Sequence, residues 1–126
     1  MEGTEIHDRI DGLVKGGRVV LFMKGNKMFP QCGFSASVVQ LLNGLGVDFE
    51  THNVLDDPDL RQGIKDYSDW PTIPQLYIDH EFVGGSDIVR TMSTTGELHQ
   101  LLGLHYEPPK PPEVNLTEAM AAAFTA

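Results

Sequence analysis

The residue best suited to chemistry in this chain is Cys32, its only cysteine, in the run Cys32-Gly33-Phe34-Ser35. With no second thiol, any disulfide must form with another molecule, and the fold has no oxidative staple. A lone cysteine is commonly just a small buried hydrophobe, so its surroundings decide. Cys32 follows a loop over 24–31 and precedes a helical pattern (Val38, Leu41, Leu42). A thiol there meets unpaired backbone N–H groups, which favour the thiolate, the form that attacks sulfur or binds metal. Ser35 stands where a Cys-x-x-Cys oxidoreductase carries its resolving thiol, and a serine cannot attack a mixed disulfide. What remains is resolution of Cys32 by an outside thiol, or a bound soft metal such as iron.

Three further groups of residues bear on the same site. Lys24, ending the strand before the loop, can face the Cys32 cleft and supply positive charge. Trp70-Pro71-Thr72-Ile73-Pro74-Gln75 offers two readings. One is a cis-Pro74 that turns the Ile73 backbone toward a ligand; the other is a rigid trans turn with Trp70 as packing. Gly84-Gly85-Ser86-Asp87 is either a plain turn and helix cap or a place where helix amides receive a carboxylate. His7, His52, His80, His99 and His105 have no paired metal-ligand spacing and read as surface or packing residues.

The elements that must position these groups follow from periodicity. A first helix runs from Thr4, taken as its cap, to Val14. Arg18 to Met23 is an apolar run of a strand buried on both faces. A helix over Phe34 to Leu45 and a strand over Val47 to Val54 follow, and Asp57-Pro58 opens a helix with Leu60, Ile64 and Tyr67. Gln75–Ile78 and Glu81–Val83 flank Asp79-His80 as an antiparallel hairpin, so the sheet is mixed. Ser86 or Asp87 caps a helix through Met92, and a last helical turn reaches Leu102. Residues 1–104 form the domain. In 105–126, Pro108 to Pro112 reads as a stiff spacer and Asn115 to Ala123 as a short, marginal helix.

The 126 residues, 40% hydrophobic, suit one core. A formal charge of −9 argues against nucleic acid and anionic lipid as partners, and no apolar run approaches the roughly 20 residues that span a bilayer. The acidic start resembles neither a secretory signal nor a transit peptide, so a cytoplasmic chain, or one already processed, is expected.

Lys24, Cys32-Gly33-Phe34-Ser35, Trp70-Pro71-Thr72-Ile73-Pro74-Gln75 and Gly84-Gly85-Ser86-Asp87, in this order and spacing, resemble the monothiol glutaredoxins of the CGFS class over about Thr4 to Leu104. The resemblance implies an α/β, thioredoxin-like fold: a four-stranded mixed sheet flanked by helices, here with a Pro-rich C-terminal extension. It implies that Cys32 is the catalytic residue and an iron ligand, that Pro74 is cis, and that Lys24, Arg61, Ile73, Ser86 and Asp87 hold glutathione. Gly33, Phe34, Ser35, Trp70, Thr72, Pro74, Gly84 and Gly85 would shape the site. Two protomers would share a 2Fe-2S cluster through two cysteines and two glutathione thiolates, making the four thiolates that such a cluster takes.

The function so implied is a glutathione-dependent cluster carrier that forms a homodimer when loaded and serves apo iron-sulfur proteins. The alternatives are a glutathione-dependent thiol-disulfide oxidoreductase acting in deglutathionylation, and an iron-regulatory adaptor paired with a BolA-like protein. Two features depart from the family pattern: Ser86, where many relatives have a second cysteine, and the tail from Tyr106.

Overall fold

A computed structural model describes residues 3–108; the expected spacer beyond Pro108 and the helix over Asn115 to Ala123 lie outside them. The chain order is α1 (Gly3–Val14), β1 (Val19–Met23), α2 (Gly33–Gly44), β2 (Glu50–Asn53), a 3-10 turn (Val54–Asp56), α3 (Pro58–Ser68), β3 (Gln75–Ile78), β4 (Glu81–Gly84), α4 (Ser86–Thr95) and α5 (Glu97–Leu102). The four strands form one sheet in the order β2-β1-β3-β4. β1 runs parallel to β2 and antiparallel to β3, and β3 antiparallel to β4. This is the mixed, thioredoxin-like sheet expected from the sequence.

β1 is the centre of the molecule because both its faces are covered. Alternate side chains leave a strand on opposite sides. Val19, Leu21 and Met23 accordingly join Val38, Val39 and Leu42 of α2, Val89 of α4 and Leu98 and Leu102 of α5. Val20 and Phe22 join Ile10 and Val14 of α1 and Leu60 and Ile64 of α3. All five β1 residues are buried, and at roughly 25 cal/mol per Å² of apolar surface such a strand ties both helical layers to one element. β3 alternates in the same way, with Leu76 and Ile78 on the α2 side and Tyr77 on the α1/α3 side.

The local signals mostly behave as their chemistry dictates. Asp57 caps α3, its carboxylate accepting from the Leu60 amide at 3.1 Å, with Pro58 in the first turn. Asp79 and His80 both take positive φ, 50° and 71°, the two-residue hairpin turn whose twist matches its strands.

Several expected boundaries change. Thr4 lies inside α1 rather than capping it. β2 is shorter than Val47 to Val54, because it is an edge strand that pairs only alongside β1, from Val20↔Glu50 to Met23↔Asn53. Its far end is cut by Asn53, whose side chain accepts from the Leu55 amide and starts the 3-10 turn. Neither Ser86 nor Asp87 caps α4: Gly85 holds that position without a side-chain bond, which leaves the first amides of the helix open. Packing also continues past Leu104, since the Tyr106 ring lies 4.9 Å from His99 and its hydroxyl donates to the Thr94 carbonyl.

Asp57 also pairs with Arg9 of α1 at 2.6 Å. That contact, more than the Leu60 amide, holds its carboxyl below the usual carboxylate range. A group with a depressed folded-state pKa contributes stability above its unfolded value, near 3.9, and loses it as the pH falls through the folded value. Asp57→Ala is therefore expected to cost about 1 kcal/mol at pH 7. Urea melts should show this deficit shrinking progressively as the pH is taken below about 4.

Candidate active site

The parallel crossover from β1 to β2 places the start of α2 beside the end of β1, and the contact between them is made by Ser35. Ser35 is fully buried, and its hydroxyl accepts the Lys24 amide at 3.1 Å. The position of a resolving thiol is thus occupied by a group that joins the helix start to the strand end. It faces the interior and is closed to any ligand.

Cys32 is the residue before α2, with extended backbone (φ −150°, ψ 136°) and no capping bond of the kind a hydroxyl or carboxylate makes. Its thiol is partly buried and free. The Ser35 amide pulls its pKa below the ordinary cysteine value against the opposing effect of burial, and the Phe34 amide, the Lys24 charge and the Ser35 hydroxyl add to that pull. Backbone donors at a helix start therefore do most of the work, with the lysine second.

The loop before Cys32 is held tightly. Its Gly25 has φ +90°, and a Cβ there would lie 2.5 Å from the Phe29 carbonyl oxygen. The Gly25 amide donates to the Asn53 side chain at 2.9 Å, and the Gln31 amide to the Lys24 carbonyl at 2.8 Å. Asn26 accepts from the amides of both Met28 and Phe29. This braced loop nonetheless displays Met28 (79% exposed) and Phe29 (69%), and Phe34 (60% exposed) lines the cleft with Cys32.

Next to the thiol lies a cleft of about 440 Å³. Cys32 and all five residues implied as glutathione ligands (Lys24, Arg61, Ile73, Ser86 and Asp87) line it, with Phe34, Thr72 and Pro74. The Ile73-Pro74 peptide is cis, as expected. Ile73's side chain is buried in the α1/α3 core, while its backbone N–H and C=O have no hydrogen-bond partner among the described residues. Ser86 and Asp87 begin α4 with their amides unclaimed by a cap.

Gly33, Ser35, Trp70, Gly84 and Gly85 do not themselves line the cleft. Gly85 permits close approach: a Cβ there would be 3.3 Å from the Pro74 carbonyl oxygen and 3.4 Å from the Trp70 indole nitrogen. The two segments that frame the cleft can therefore touch.

The charges sort themselves by place. Arg9, Lys15 and Arg18 are paired with Asp57, Asp11 and Asp79 away from the cleft. Lys24, Arg61 and Lys65 line the cleft and make no salt bridge among the described residues. In a chain of net charge −9 this is a local cationic site, with Asp87 at its other side, suited to a small ligand carrying carboxylates and an amine.

Lys65 was not anticipated from the sequence, although it lies four residues after Arg61 and so on the same face of α3. Asn53 and Gln75, which brace the site from behind, were also missed, for nothing in their spacing announces a second-layer role. The histidines take packing or surface places: His7 against Tyr67, His52 against Phe22, His99 against Tyr106, His80 in the hairpin turn and His105 exposed beside Glu107.

Because helix amides outrank Lys24 in acidifying Cys32, Lys24→Gln is expected to raise the thiol pKa while leaving it below that of a free cysteine. The rate of iodoacetamide alkylation across pH measures both midpoints. A Lys24→Gln midpoint equal to that of free cysteine would show that the lysine, not the helix, controls the thiol.

A family model described as glutaredoxin matches residues 19–83. A monothiol glutaredoxin of Synechocystis sp. is 58% identical over 98 residues, covering 78% of this chain and 92% of its own. The mitochondrial monothiol glutaredoxin-5 of Saccharomyces cerevisiae is 52% identical over 102 residues, covering 79% of this chain and 68% of its own. The solution structure of reduced apo GrxS14 from poplar superposes with a TM-score of 0.73 at 51% identity, covering 82% of this chain and 95% of its own. With its single cysteine at the start of α2 and a serine in the fourth position of the motif, the chain belongs to the monothiol glutaredoxins.

Proposed function

We propose that this protein binds glutathione in the Cys32 cleft and, as a homodimer, carries a 2Fe-2S cluster as cargo that it passes to apo iron-sulfur proteins. The observation that carries the reading is one acidified, accessible thiol beside a cationic cleft, in a chain with no second thiol to release it. Lys24 and Arg61 pair with one glutathione carboxylate, the Ile73 backbone pairs with the cysteinyl residue, and the Ser86 and Asp87 amides with the Asp87 carboxylate receive the γ-glutamyl end.

The residues present fit a shared cluster rather than an internal one. Among the described residues, no group of three or more His, Cys, Asp or Glu side chains could hold a metal, and the chain supplies one thiolate where a 2Fe-2S cluster takes four. Two chains and two glutathiones complete the set. The exposed Phe34 beside Cys32, with Met28 and Phe29 exposed on the preceding loop, offers apolar surface for the facing subunit. The same face would serve a heterodimer with a BolA-like protein.

The acidified thiol also favours a second reading, glutathione-dependent thiol-disulfide exchange. The Cys32 thiolate attacks the glutathione sulfur of a protein mixed disulfide and releases the protein thiolate. The thiolate of a second glutathione then attacks that sulfur-sulfur bond, releasing oxidised glutathione and restoring Cys32.

Anaerobic reconstitution with iron, sulfide and glutathione separates these readings. Visible charge-transfer absorption that requires glutathione, is lost in Cys32→Ser and elutes with a dimer is expected. Colourless wild-type protein that turns over a glutathionylated substrate would replace the carrier reading with thiol exchange.

A further inference from the structure

The segment between α3 and β3 poses a structural problem. Pro71 and Pro74 have no N–H to donate, and residues 71–74 make no backbone-backbone hydrogen bond among the described residues outside helices and strands. Pro71 and Thr72 are exposed, yet this segment carries the open peptide edge of Ile73 at the cleft. Something other than a ladder must hold it.

The fully buried side chain of Gln75 does so. Its carboxamide nitrogen donates to the carbonyls of Trp70 at 3.2 Å and Thr72 at 3.1 Å. Its oxygen accepts the Tyr77 hydroxyl at 3.3 Å. Residues 75 and 77 share a face of β3, so the strand offers both partners to one network, and every hydrogen of the amide nitrogen is used. A buried carboxamide is stable only when paired in this way, and here its two bonds tie the residues just before Ile73 to a rigid strand.

We propose that Gln75 is a positioning residue of the glutathione cleft: through the Trp70 and Thr72 carbonyls it fixes the unpaired Ile73 backbone where the ligand meets it. The inference rests on the glutathione reading given above. Without the carboxamide, those carbonyls turn to water, because their segment is already near the surface, and the Ile73 edge swings with them.

The test uses the full chain with Cys32→Ser as reference, so that no covalent adduct forms, and titrates it with glutathione while following amide shifts. Tyr77→Phe in that background keeps both carbonyl bonds and is expected to bind within about twofold of the reference. Gln75→Leu with Tyr77→Phe removes the carboxamide without stranding the phenol. It is expected to bind about tenfold more weakly, the scale of one lost hydrogen bond. The amide shifts of Thr72 and Ile73 should move in the double variant while the β1 amides stay protected from hydrogen exchange.

Equal affinity in the double variant overturns the proposal and leaves the glutathione reading standing. Loss of β1 protection overturns it too, making Gln75 a core-packing residue. A reference protein that does not bind glutathione overturns both.

Discussion

The site depends on a strand that has no exposed side. Since Val19 to Met23 is buried from both faces, β1 cannot shift without opening two helical layers, and its C-terminal end is a fixed point. Lys24 projects from that point, and the buried Ser35 hydroxyl ties α2 to the Lys24 amide. The helix start that acidifies Cys32 is thereby locked to the element that supplies the nearest cation. A serine in place of a resolving thiol is thus a structural tie as well as the reason for monothiol chemistry.

Around this fixed point the cleft-lining groups arrive from separate elements: Cys32 before α2, Arg61 and Lys65 on α3, Ile73 before β3, and Ser86 and Asp87 at the start of α4. Each stands at the end of an element or on a helix surface, where backbone groups or long side chains remain unpaired. The protein removes competing partners as well as supplying ligands. Three cations outside the cleft, Arg9, Lys15 and Arg18, are held in salt bridges, and a glycine without a side chain leaves the α4 amides open. A protein of net charge −9 thereby keeps Lys24, Arg61 and Lys65 together at one cleft.

The loop over 25–30 shows how rigidity and exposure are combined. Asn26 and Asn53 accept hydrogen bonds from its amides, while Met28 and Phe29 remain exposed. Lys27 turns its ammonium over the Phe49 ring at 4.1 Å instead of toward the thiol. The result is a rigid loop that leaves two large apolar side chains exposed, Met28 and Phe29.

Much of this was legible in the linear order of residues. The apolar run of β1, the Asp57-Pro58 start of α3, the Asp79-His80 turn and the single cysteine before a helix all act through neighbours within a few positions. Their physics is local: side-chain alternation, missing amide donors and caps. The extent of β2 was not legible, because an edge strand lasts only as long as its partner runs beside it. Nor was the α4 cap, where the extended Gly85 displaced two better capping residues.

By itself, then, the sequence determined a monothiol chemistry, the element order and the kinds of group available for a carboxylate ligand. Only the tertiary structure decided that Lys24, Arg61, Lys65, Ile73 and Asp87 share one cleft with Cys32, that Ser35 faces inward, and that Gln75 reaches back to brace the Ile73 segment. Those facts depend on contacts between residues far apart in the chain and on which face of the sheet each occupies. Burial settles them, and composition and spacing do not encode burial one residue at a time.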